Sequence, residues 1–208
     1  MHDTPIHSRI LLAGAVAGAA LLAGCATTQV DAQWRSVELP PSYLRGATVL
    51  VSCEAGEAVI KRICEDRLVA ELVTRGARPL LAAPGTVAAT PPGVRDMQYL
   101  PAALASGAKA VLSVTVGVSA QSVSQGISIG IGGFGFGRHS GGGVGISAPI
   151  GGGQVSQGYA ANARVTDAAS GRLMWTARAS APPSSDINRQ FAELSKSVLD
   201  AAGSAGLF

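Results

Sequence analysis

The sequence predicts an α/β fold: a mixed sheet with a parallel βαβ start, an antiparallel C-terminal hairpin and a closing C-terminal helix. Three observations carry this reading. The apolar, β-branched run Ala47 to Cys53 leads directly into a long helical pattern. Two later stretches, Lys109 to Val118 and Val155 to Val165, alternate with the period of two that a half-buried strand requires. The final residues repeat apolar side chains at helical spacing. Strand–helix alternation implies parallel neighbours joined by right-handed crossovers, and the turn residues after Val165 imply an antiparallel return.

Taken in order, residues 26–46 show no sustained period and contain Pro40-Pro41, so they read as a tether lying along the domain, with Trp34 as a docking point. Ala47 to Cys53 is a buried strand. Glu57 to Arg75 is a helix: Ile60, Cys64, Leu68 and Leu72 repeat every four residues, with Ile63 beside them. Glu54 and Glu57 lie near its start, and Gly76 stands where a left-handed cap is needed. Its acids Glu65, Asp66 and Glu71 lie among Lys61, Arg62, Arg67 and Arg75, which reads as a solvated, ion-paired face. Arg78 to Ala82 is a weaker strand. A Pro/Ala/Gly-rich loop (83–94) then leads to a short helix, Met97 to Ser106, with Pro101 expected in its first turn.

From Lys109 the alternation sets Leu112, Val114, Val116 and Val118 on one face and Ser113, Thr115 and Ser119 on the other. In the second run Tyr159, Ala161 and Ala163 share a face. Asp167 to Gly171 is turn chemistry. Leu173, Trp175 and Ala177 form the inward face of the returning strand, with Trp175 in the core. Ser184 or Ser185 is expected to cap the last helix, whose Ile187, Phe191, Leu194, Val198 and Leu199 make one apolar stripe.

Before these elements, residues 1–24 read as an export signal. Arg9 precedes thirteen apolar or small residues, Ile10 to Leu22, too few to span about 30 Å of hydrocarbon but suited to a signal sequence. Leu22-Ala23-Gly24-Cys25 resembles the lipobox of bacterial lipoproteins. That resemblance implies cleavage before Cys25, acylation of its thiol and its new amine, and, with Ala26 following, placement in the outer membrane with the domain facing the periplasm. Several acyl chains would anchor it firmly, whereas one chain is marginal at about 0.8 kcal/mol per buried methylene. The expected organisation is therefore signal peptide 1–24, lipidated tether 25–46, and a single α/β domain 47–208 with a Gly-rich insert at 126–158.

Composition limits the function classes. The chain is 47% apolar and only 14% charged, so it is not wholly disordered, and its +3 charge is spread without a basic block, which disfavours nucleic acid as a partner. After signal removal one histidine, His139, remains. Cys53 and Cys64 lack a CxxC spacing and further ligands, so no metal site or cofactor is expected; they read as a structural disulfide, favoured in an oxidising compartment, or as two buried thiols. The insert has 14 glycines in 33 residues, with Ile127, Ile129, Ile131, Phe134 and Phe136, and reads as a long hairpin excursion or as a hairpin that enters a membrane or pairs with other subunits. Gly126-Ile127-Ser128-Ile129-Gly130 spells a nucleophile-elbow string, but strand alternation runs through it with no following helix, so neither Ser128 nor His139 is read as catalytic. Gly130 to Gly135 matches a phosphate-loop pattern with the same defect.

Several of these features together resemble one group of small bacterial outer-membrane lipoproteins. They are the lipobox, the Trp-bearing tether, the Val-Leu-Val strand leading to a helix with Glu65-Asp66 and Arg75-Gly76, the Ser106-Gly107-Ala108 turn into a long strand, the Asp167 to Trp175 hairpin, and the ending Gly206-Leu207-Phe208. The group is similar in fold plan to the periplasmic α/β domains of curli-secretion lipoproteins and of the N-terminal part of the Tol translocation protein. The resemblance implies a non-enzymatic envelope component, a structural or interaction module whose partners are other envelope proteins or peptidoglycan. The alternative is a subunit of a homo-oligomeric secretion or transport assembly that uses the Gly-rich hairpin. The insert departs from the group in lacking its Tyr-rich run.

Overall fold

The computed structural model describes residues 27–83, 95–123 and 155–208. The strands are β1 (Gln29–Arg35), β2 (Thr48–Glu54), β3 (Arg78–Leu81), β4 (Ala110–Val123), β5 (Val155–Asp167) and β6 (Leu173–Ser184). The helices are α1 (Ala58–Thr74), α2 (Arg95–Ala105) and α3 (Ile187–Ser204). One mixed sheet has the order β1-β6-β5-β4-β2-β3. β2 pairs in parallel with both β3 and β4, and the remaining pairs are antiparallel. The fold class expected from the sequence is the one observed, with a further strand.

That strand is β1. The stretch expected as an aperiodic tether does lie along the domain, but residues 29–35 pair with β6 from Gln29↔Ser180 to Arg35↔Trp175. All seven of its residues are exposed. An edge strand buried on neither face carries no amphipathic pattern, so main-chain pairing forms it and the side chains leave no signal. Trp34 is half exposed rather than docked into the core.

α1 and α3 cover one face of the sheet. Val49, Val51, Leu112, Val114, Ala163, Val165, Trp175 and Ala177 meet Leu68, Leu72, Phe191, Leu194 and Val198 there, all buried. Tyr159 and Phe191 stack at 5.2 Å between ring centres. The apolar stripe read from α1 is the buried stripe, but Glu65 beside it is buried too, not solvated. Its carboxylate accepts from the Cys53 backbone N–H (3.5 Å) and lies 3.8 Å from Lys61. Asp66 and Glu71 do pair along the surface, with Arg62 and Arg75. Gly76 takes the left-handed conformation foreseen for it (φ 78°), closing α1.

Among the described residues the opposite face is covered by α2, over a smaller cluster of Leu50, Val111 and Ala168 with Tyr99 and Ala103. This is why Ser113 is buried although it alternates onto the polar side of β4. Pro101 sits inside α2, not in its first turn, since the helix begins at Arg95. Having no N–H, it cannot donate to the carbonyl of Met97 as a residue in the helix interior otherwise would. The cap of α3 is Asp186, which accepts from Arg189 N–H (3.0 Å). Ser184 belongs instead to β6, and its hydroxyl accepts from the Asp186 N–H (3.1 Å).

Strand directions sort the connections to two ends. At one end Ser36–Ala47, Gly76, Ser106–Lys109, the Asp167–Arg172 turn and the C-terminal Gly206-Leu207 are tied together, as in Leu44 N–H to Leu207 O (2.7 Å) and Gly46 N–H to Gly76 O (2.7 Å). At the other end lie the start of β1, the end of β6, the end of β4 and the start of β5. There β4 and β5 outrun their neighbours, so Val118, on the same sequence alternation as Leu112, is 52% exposed. Residues 155–158, read as the end of the Gly-rich insert, already pair in β5.

Candidate functional site

A cleft forms beside the segment that leads into β1. It lies between Thr27-Thr28, the Pro182–Ser184 end of β6 and the outward side of α3, with a volume of about 510 Å³. β6 can carry Pro182 and Pro183 because this part of it runs past Gln29 on the β1 side and falls at a register shift against Gly158 on the β5 side, so neither missing N–H breaks a ladder pair. Gly158 sits opposite them, and a Cβ there would lie 2.9 Å from Ala181 O. Gln190 is buried and its Nε2 donates to Pro182 O (2.6 Å) and Gln157 O (2.9 Å), so one side chain fastens α3 to the ends of both strands.

Of the charged side chains lining the cleft, Glu193, Lys196 and Asp200 each have a polar partner. Thr28 donates to Glu193 (3.4 Å) and Lys196 to Asp200 (2.6 Å). Asp200 also receives Arg75 from α1 (2.6 Å). The bond from Lys196, followed by that from Arg75 and opposed by partial burial, holds the Asp200 carboxyl below the usual carboxylate range. The cleft therefore offers a mixed polar surface rather than a field of one sign.

Two further polar clusters lie elsewhere. Asp96, at the start of α2 and 5% exposed, accepts from Ser113 (2.5 Å), Thr166 (3.3 Å) and the Arg164 guanidinium. This clamps α2 to β4 and β5. At the end of the sheet that holds the Asp167–Arg172 turn, Tyr43 donates to Asp167 (2.5 Å), while Lys109 lies 4.3 Å over the Tyr43 ring and donates to the Tyr43 carbonyl (2.8 Å). Burial, then the bond to Asp167, raises the Tyr43 phenol well above the ordinary tyrosine range. For Asp167 burial acts upward, but bonds from Tyr43, Ser170 and Ala169 outweigh it and lower the carboxyl. Neither cluster was read from the sequence. The bonded partners are far apart in the chain, Asp96 and Arg164 by 68 residues and Tyr43 and Asp167 by 124, and share no spacing pattern.

Of the residues singled out in the sequence, Cys53 on β2 and Cys64 on α1 are brought together as a disulfide with Cα atoms 6.1 Å apart, both buried. Trp175 is fully buried in the core. Residues 1–24, Cys25, the loop at 84–94, Ser128, His139 and the aromatic part of the insert lie outside the described residues. Among the described residues no three His, Cys, Asp or Glu side chains are grouped so as to hold a metal, and no helix is long and apolar enough to cross a membrane.

No protein-family model matches the chain, and no curated protein matches it in sequence. Among solved structures it is similar to the PelC dodecamer from Paraburkholderia phytofirmans, with a TM-score of 0.51 and 16% identity over 83% of this chain and 94% of that one. The two chains share a fold. A variant PelC dodecamer from the same organism scores 0.47 at 13% identity, over 81% of this chain and 95% of that one. Lipoprotein GNA1162 from Neisseria meningitidis scores 0.40 at 16% identity, over 76% of this chain and 99% of that one. At such identities the PelC likeness speaks for the architecture alone.

Proposed function

We propose that this protein is a lipid-anchored module of the bacterial outer membrane, its α/β domain facing the periplasm, acting through contacts with other envelope components and not through catalysis. The observation that carries the reading is the string Leu22-Ala23-Gly24-Cys25, four residues before the first strand of the domain. Acylation at Cys25 would hold the start of β1 near the membrane, and the described carboxylates Asp96, Asp167 and Asp200 are already engaged in ties between elements. Partners of the class expected are other envelope proteins or peptidoglycan. Fractionation of cells carrying Cys25→Ser tests the anchor: the wild-type chain should follow the outer membrane and the variant should not. Unchanged membrane association of the variant would refute it.

A second reading, a subunit of a homo-oligomeric assembly, is favoured by one observation: the fold is shared with a protein described as a dodecamer. The native mass of the detergent-extracted, acylated chain, with and without residues 126–158, tests it. A ring-sized particle that collapses on deletion supports assembly through the Gly-rich segment. A monomer in both cases removes it and leaves an anchored adaptor.

A further inference from the structure

We propose that the outer end of the β4–β5 ladder rests in the lipid headgroup layer, so that the bilayer surface is the partner of this end of the sheet. The proposal rests on acylation of Cys25 and goes beyond it by assigning which end of the domain meets the membrane and with which residues.

The argument is one of reach. Gln29 pairs with Ser180, Ser180 with Ala160, and Ala160 with Gly117, which marks one level across the sheet. From that level Cys25 is four residues away, a distance of at most about 14 Å for a fully extended chain. From Ala160 to Val155 is five residues of β5, and from Gly117 to Val123 six of β4, so the ladder rises on the order of 17–20 Å at the strand spacing. β1 runs down from Gln29, so the chain leading back to Cys25 starts from the same end at which the ladder projects. A sulfur held at the membrane surface by its acyl chains therefore keeps this end of the sheet, and not the opposite one, close to that surface. The tether is too short to hold the domain away.

Composition agrees with this placement. Gly117–Val123 and Val155–Ala160 contain no charged residue. Val118, Ser119 and Ala120 are exposed. An uncharged surface such as that of Val118, Ser119 and Ala120 enters the headgroup layer without desolvating an ion. The opposite end carries Glu38, Arg45, Arg75, Arg78, Lys109, Asp167 and Arg172, whereas at the ladder end the nearest charges, Glu57, Asp186 and Arg189, belong to the starts of α1 and α3 and not to the ladder itself.

Full-length acylated protein tests the proposal, with Ala120→Cys at the ladder end and Ser170→Cys in the turn at the opposite end. Each is coupled to a neutral fluorophore under non-reducing conditions, and Ser119→Cys serves if the first variant does not fold. The proteins are reconstituted in phosphatidylethanolamine–phosphatidylglycerol vesicles containing headgroup spin-labelled lipid. The label at 120 should lose most of its emission and the label at 170 none. Vesicle-bound protein with neither label quenched, or with only 170 quenched, overturns the orientation while leaving the anchor standing. A label at 120 shielded from an aqueous quencher yet not quenched by lipid means that protein and not lipid covers the ladder end, which also overturns it. Protein that does not float with the vesicles refutes the anchor, and this proposal with it.

Discussion

Replacing both Cys53 and Cys64 by alanine should lower the stability of the domain by about 3 kcal/mol while leaving it folded. The bond joins positions 11 residues apart, from the end of β2 across the connection into α1. Closing a loop of that size removes on the order of 9 cal/mol/K from the unfolded chain, or about 3 kcal/mol at 25 °C. Alanine is the suitable replacement because Cys53 and Cys64 are 0% and 2% exposed, and serine would bury a hydroxyl without a partner. Domains are stable by about 5–15 kcal/mol, so this loss is large but survivable. Urea unfolding followed by circular dichroism should show a midpoint lowered by on the order of 1–2 M, with treatment of the wild-type chain by reductant producing most of the same shift. Peptide mapping of unreduced protein should recover residues 53 and 64 in one linked species. Equal midpoints with and without reductant, or both thiols alkylated before reduction, would refute the reasoning and leave two buried thiols in place of the bridge.

Asp96→Ala should destabilise the domain by about 2–3 kcal/mol, because Ser113 and Thr166 lose a buried acceptor and Arg164 its partner. Its mark in hydrogen exchange should be faster opening of α2 before the rest of the fold; uniform loss of protection would count against the clamp. Gly158→Ala should cost about 1–3 kcal/mol through overpacking against Ala181 and Pro183, read as a lower thermal midpoint, and a neutral result would mean that the β5–β6 end yields freely. Asp167 and Asp200 are both held below the usual carboxylate range, so their contribution is complete at neutral pH and is lost as pH falls below about 4. Thermal midpoints measured down that range should fall less steeply for Asp167→Asn than for the wild-type chain.

Much of the fold was legible because its signals are local. The four-residue repeat of α1, the alternation of β4 and β5, and the left-handed Gly76 each follow from side-chain periodicity or backbone conformation within a few residues. Three features were not legible in that way. β1 has two exposed faces, so no pattern marks it. Asp186 displaced the expected serine cap because β6 continues through Ser184, a length set by pairing with Gln157. Pro101 fell inside a helix because α2 starts earlier than its apolar pattern does.

The sequence by itself determined the elements buried on one face, the mixed sheet and the placement of Trp175 in its core, since burying apolar periodicity is the dominant favourable contribution in folding. The tertiary structure alone decided which residues far apart in the chain meet: Asp96 with Ser113 and Arg164, Tyr43 with Asp167, Cys53 with Cys64. It also decided that the chain entry and the β4–β5 ladder share one end of the sheet. Such encounters depend on strand order and direction, which are properties of the assembled sheet and leave no mark on neighbouring residues.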